Sequence, residues 1–260
     1  MKPPKKIVIG AILTAALLAF STLILPLPID NNNWTFRGRL ALSFALALMY
    51  VGSAILFLTS LKAYKAQMRY AFITLSAGIL LTALASIQLP ISNAFGLGDS
   101  IWSRGGLIII PFLLGGLVSY MGLRGFAKLV GVHTVFTKVS VVIPVATVLG
   151  ALSAFLPHAA SISSEIQLDV SNAIVAWIGL LDLAAALMVL QIKQRIGAHY
   201  INAMAWLFAA LVGSVVVTIA ALHASLFGSE PASILVDILT FILGIIYLRA
   251  GYAFTQTEDY

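Results

Sequence analysis

Residues 173–192 read AIVAWIGLLDLAAALMVLQI, with a single charged residue, Asp182, and with Lys193 and Arg195 directly after. About 20 apolar residues at 1.5 Å rise per residue cross a hydrocarbon core of about 30 Å. The stretch therefore predicts a membrane-spanning helix, and Asp182 falls near its middle.

Seven more runs of the same kind lie along the chain, at 7–27, 40–61, 71–91, 105–123, 139–157, 202–227 and 232–248. The run at 105–123 is the weakest, being short, broken by Pro111 and rich in glycine. Eight such spans and their loops use up all 260 residues, as one integral membrane domain with no separate soluble part. The composition agrees: 61% of residues are hydrophobic and only 9% charged, with a mean hydropathy of +1.05. Ordinary soluble domains carry roughly a quarter charged residues, so lipid has to serve as the solvent for this chain. The expected fold is all-α, a polytopic transmembrane bundle of eight helices.

Lys and Arg orient the bundle. With the N-terminus inside, twelve of the fifteen fall on the cytoplasmic side, and only Arg37, Arg39 and Arg104 fall outside. Asp30, Asp99, Glu165, Asp169 and Glu230 gather in the outer loops. Both termini are therefore expected in the cytoplasm, in a multi-pass protein of the cell membrane (plasma or inner). The net charge of +6 reflects this flanking pattern and not a nucleic-acid partner. The partners expected are the lipid bilayer and a second membrane protein or another copy of the chain.

The start of the chain resembles a signal peptide in its charge pattern, but its apolar run is long and Leu25-Pro26-Leu27-Pro28 offers no small-residue cleavage site. It reads as an uncleaved first helix. Residues 125–138 are long enough for a short interfacial helix on the cytoplasmic side. The chain has no cysteine, which excludes disulfides, thiolate metal sites and cysteine nucleophiles.

Four histidines form a pattern. His158-Ala159 with Ser164-Glu165 echoes His223-Ala224 with Ser229-Glu230, and His133 and His199 precede the same two spans on the other side. Paired histidines on parallel helices are the ligand arrangement of a b-type haem subunit. Spacing weighs against two haems: 25 and 24 residues are about 37 and 36 Å of helix, longer than the core itself. One haem b between His158 and His223 is the form of this reading that survives.

The intramembrane carboxylates are the sharper signal. Asp182 lies about 15 Å deep and Asp237 about 9 Å, both measured from the outer face. An ionised Asp at the bilayer centre costs on the order of 3 kcal/mol. Such a group faces the bundle interior, finds a partner or carries a proton. Trp177, Ser214 and Thr218 are partners within reach for Asp182. His223 ends its helix at a depth close to that of Asp237, and Arg104 stands at the outer mouth as a counter-ion or an interfacial anchor. Asp182, Asp237, His223, His158 and Arg104 are the candidate ligand or proton site. No metal is assigned, since the acidic and histidine spacing carries no metal signature.

Other letters fail on context. Gly96-Leu97-Gly98-Asp99 spells the Gly-x-Gly-Asp of intramembrane aspartyl proteases, yet Asp99 sits in a predicted loop. No catalytic set assembles, so the chain reads as non-enzymatic. The first expectation is a sensor-like or accessory subunit of a membrane complex, binding a small apolar ligand, a lipid or a partner helix. Small residues such as Gly78, Ser86, Gly115 and Gly213 would let helices approach closely. The second is a transporter or proton-coupled carrier that uses Asp182 and Asp237. The third is the b-type redox subunit.

Overall fold

A computed structural model describes residues 34–60, 66–94, 107–132, 164–227 and 230–256. Among them are six α-helices and no strand: α1 (Trp34–Thr59), α2 (Ala66–Ala94), α3 (Leu107–Leu129), α4 (Ser164–Arg195), α5 (Ala198–Phe227) and α6 (Glu230–Thr255). Six of the expected apolar runs fall one to a helix. The runs at 7–27 and 139–157 lie outside the described residues. The helices are longer than the runs inside them; α4 begins at Ser164, where the apolar stretch begins at 173. Hydropathy marks where lipid ends, whereas a helix goes on as long as its backbone bonds can close.

Among the described residues five helices are long and apolar enough to cross a membrane, over Ala41–Thr59, Met68–Ser86, Val175–Arg195, Tyr200–Ala224 and Ile234–Thr255. The one left over, α3, contains the run that the sequence marks as weakest. The chain is thus an integral-membrane type of helical bundle. Its side-chain pattern is that of a protein facing lipid. On α4, Leu180, Leu183, Leu187 and Leu190 point outward, while Leu181, Asp182, Ala185 and Val189 are buried. Large apolar side chains are exposed on the other helices too, such as Ile55, Leu84, Met121, Ile219 and Leu235. In water, so much apolar surface would drive association. In lipid it is the ordinary outer coat.

Each helix packs against the next in sequence, and α6 closes back on α1, so the six form a ring. Two neighbouring pairs run parallel. Gly244 and Gly251 of α6 lie against Leu46 and Ser53 of α1, in the same chain order. Gly116 of α3 lies against Leu181 of α4, and at their C-terminal ends the Arg195 guanidinium donates to the Gly131 carbonyl at 3.3 Å. The remaining neighbours run antiparallel. Arg69, Arg124, Lys128, Lys193, Arg195 and Arg249 therefore share one end of the ring, called the basic end below.

Contact between α2 and α3 is the closest in the bundle. A Cβ on Gly78 would collide with Ser119 and come within 2.5 Å of the Gly115 carbonyl; one on Gly115 would sit 2.8 Å from the Gly78 carbonyl. Only hydrogen fits between these backbones, the small-residue packing that substitutes for a hydrophobic drive inside lipid. At its far end α3 stops on a Schellman turn. Gly131 has φ +72°, its N–H donates to the Lys128 carbonyl at 3.2 Å, and the Val132 N–H donates to the Ala127 carbonyl at 3.0 Å. Val132, buried, completes the motif. Replacing Gly131 with Val is expected to lower stability by about 1–2 kcal/mol, because the left-handed conformation crowds a Cβ against the carbonyl. Thermal unfolding in detergent measures it, and an unchanged midpoint would contradict the cap.

A candidate proton site at the centre of the ring

Toward the basic end the interior is filled by four buried phenylalanines: Phe57 of α1, Phe72 of α2, Phe126 of α3 and Phe254 of α6. Their rings interlock, with centroids 5.1 Å apart for Phe57–Phe254, 5.2 Å for Phe72–Phe254 and 5.8 Å for Phe72–Phe126. Edge and tilted contacts at such distances are the favoured aromatic geometries. An apolar void of about 10 Å³ lies beside them. This layer is an apolar plug.

On the other side of the plug the lining turns polar. A cavity of about 40 Å³ is bounded by side chains from all six helices: Tyr50 of α1, Thr82 of α2, Tyr120 of α3, Asp182 of α4, Ser214 of α5 and Tyr247 of α6. Asp182 is buried, and of the three partners within reach by sequence it is Ser214 whose hydroxyl donates to its Oδ2, at 2.5 Å. That distance is in the range of a hydroxyl bound to a carboxylate. Thr218, one turn along α5, instead packs on Gly179 and lets α4 and α5 close up. Tyr50 and Tyr247 meet edge to face at 5.3 Å, and Ser53 of α1 fixes that junction by donating to the Tyr247 carbonyl at 2.8 Å.

Among the described residues, the polar side chains of this cavity are carboxyl, hydroxyl or phenol groups, and no Lys, Arg or His lines it. A carboxylate enclosed without a cationic partner carries a large desolvation cost. A proton or a small cation removes that cost, so the site has the chemistry of a reversible proton or cation binder. The volume admits a water molecule to relay a proton and little more. Asp182 is thirteen residues from Arg195 along α4, about 20 Å of helix. It is well inside the span.

Asp237 lines a second, larger cavity of about 210 Å³, nearer the end opposite the basic one. The two carboxylates are thus in neighbouring cavities, and Phe112 of α3 lines both. Phe112 follows Pro111, whose ring nitrogen offers no N–H to the helix, so the wall between the cavities stands on an interrupted first turn of α3. His223, near the end of α5, is exposed, and Asp237 is half-buried. His158 and Arg104 lie outside the described residues. Among the described residues no three His, Asp or Glu come together as metal ligands.

The tyrosines are the site residues that sequence reading missed. Tyr50 carried a signal: it falls mid-span, where tyrosine is unusual, since membrane tyrosines collect at the two interfaces. Tyr120 and Tyr247 sit near the ends of their apolar runs and carried none.

No protein-family model matches the chain, and a search of curated proteins and of solved structures finds no significant match.

Proposed function

We propose that this chain is a proton-coupled carrier of the cell membrane, crossing it eight times with both termini in the cytoplasm, and that Asp182 is its proton-binding group. The observation that carries the reading is one buried carboxyl with no basic neighbour among the described residues, in a cavity to which all six described helices contribute. Intramembrane ionisable groups with this placement are the working parts of proton relays and pumps. The asymmetry along the ring supports it as well. The phenylalanine plug closes one side of Asp182, and on the other side Phe112 borders both its cavity and the one at Asp237. A barrier on one side and an approach on the other is what alternating access requires of a single state.

An apolar ligand finds little room in the central cavity, which is about 40 Å³ and bears a carboxyl. That favours the carrier over an apolar-ligand sensor. The span count has support of its own. The parallel run of α3 and α4 supports the eight-span reading, which puts one further span, the run at 139–157, between them in the sequence.

The test is proton movement in proteoliposomes that enclose a pH-sensitive dye, driven by gradients of small solutes. Wild-type protein is expected to acidify or alkalinise the lumen with at least one solute class. Asp182→Asn is expected to fall to the rate of protein-free liposomes. Proton movement at the wild-type rate in Asp182→Asn would remove the proposal.

A further inference from the structure

The parallel helices α3 and α4 keep a nearly constant register. Contacting pairs are 65 residues apart at Gly116–Leu181 and 64 apart at Gly131–Arg195. Arg124 of α3 therefore stands level with residues 188–189 of α4, and Lys128 with 192–193. Residues four apart share a face of a helix. One face of α3 thus carries Arg124 and Lys128, and one face of α4 carries Leu187, Gln191 and Arg195. The Arg195 guanidinium reaches the Gly131 carbonyl, which turns the α4 row toward α3. The two rows meet along a seam at the basic end.

This end has cations and no acid to match them. Among the described residues every carboxyl side chain, Asp182 and Asp237 included, belongs to the middle or the opposite end of its helix. Snorkelling toward water accounts for Lys128, which is exposed. It does not account for Arg124. The Arg124 Nε is buried and meets no acceptor among the described residues, and the buried Gln191 Oε1 on the facing row meets no donor. A charged donor enclosed without an acceptor is costly, and such groups are ordinarily met by a partner. One turn deeper in the membrane, Met121 precedes Arg124 and Leu187 precedes Gln191, and both are exposed apolar side chains.

We propose that this seam binds an anionic phospholipid, with its phosphate oxygens accepting from Arg124 and Lys128 and its acyl chains lying over Met121 and Leu187. Basic pockets between membrane helices are suited to such headgroups. A soluble phosphate monoester would offer the same oxygens, but the apolar pair beneath the cations favours the lipid. The site requires the chain to sit in a bilayer and does not depend on the chemistry of Asp182.

Native mass spectrometry of the full chain in detergent, with equal amounts of phosphatidylglycerol and phosphatidylcholine of the same acyl chains, counts the lipids retained. The wild type is expected to retain phosphatidylglycerol in at least about fivefold excess. Arg124→Gln is expected to weaken its binding by at least about tenfold, since the substitution removes one partner of an enclosed charge pair. Arg249 supplies the control. It lies on α6, which neighbours neither α3 nor α4, and it stacks over Trp206 and Tyr252 at 5.5 and 5.3 Å. Arg249→Gln should leave binding within about twofold. If Arg124→Gln fails to fold, Lys128→Gln, at an exposed position, is expected to weaken binding by about fivefold instead. Equal retention of the two lipids by the wild type would overturn the assignment. So would equal losses in Arg124→Gln and Arg249→Gln, which would mark only the summed field of the basic end. Displacement of the lipid by millimolar glycerol phosphate would also overturn it, in favour of a soluble anion.

Discussion

Asp182→Asn is expected to abolish proton exchange and leave the bundle folded. The amide has nearly the shape of the carboxyl and still accepts from Ser214 through its Oδ1, so the 2.5 Å contact between α4 and α5 survives. What it loses is the ability to take up and release a proton. Removing the carboxyl also removes the cost of enclosing a charge with no basic neighbour among the described residues, so the unfolding midpoint should hold or rise. Asp182→Glu separates chemistry from geometry: the acid is retained, but an added methylene has to fit a cavity of about 40 Å³. Its exchange rate is expected to lie between those of the wild type and the asparagine variant. Unfolding midpoints and proton flux, measured on the same preparations, give both answers.

The largest effect on stability is expected at Gly78. A leucine there has to enter the contact between α2 and α3, where even a Cβ would meet Ser119 and lie 2.5 Å from the Gly115 carbonyl. Backbone cannot yield as a flexible side chain does, so the two helices must separate along several turns. Overpacking of this kind costs typically 1–3 kcal/mol, and Gly78→Leu is expected at or above about 3 kcal/mol. A matched control is available. Gly38 of α1 has nothing within 4 Å of the position of an added Cβ, so Gly38→Ala should leave stability unchanged or raise it by the helix preference for alanine. Thermal unfolding in one detergent compares them, and equal midpoints for Gly78→Leu and Gly38→Ala would contradict the close approach.

Much of the fold was legible because lipid imposes one simple rule on a helix. Runs of about 20 apolar residues predict spans; six of them fall one to a described helix, and five of those helices are long and apolar enough to cross a membrane. The small residues Gly78 and Gly115 also stood out, and they do meet. The ring was not legible. Nothing in the hydropathy of α1 or α6 distinguishes a neighbour from a distant helix, since apolar residues recur around both. The inward faces are marked by size instead, as on α4, where Leu180, Leu183 and Leu187 face out and Ala184, Ala185 and Ala186 face in. For the site, Asp182 could be singled out because charge is rare at that depth. Its setting could not: three hydroxyl and indole partners were within reach by spacing, and only the helix rotations chose Ser214. Tyr120 and Tyr247 reach the cavity through the same rotations, which leave no trace in a list of apolar runs.

A proton carrier built on Asp182 needs that carboxyl to be protonated inside the membrane and reachable there. Dicyclohexylcarbodiimide, an apolar reagent that modifies protonated carboxyls within lipid, tests it most directly. With the full chain in lipid vesicles and mass spectrometry of its fragments, an adduct is expected on Asp182 and not on Asp182→Asn. An intact, folded protein that stays unmodified at Asp182 after prolonged exposure would contradict it.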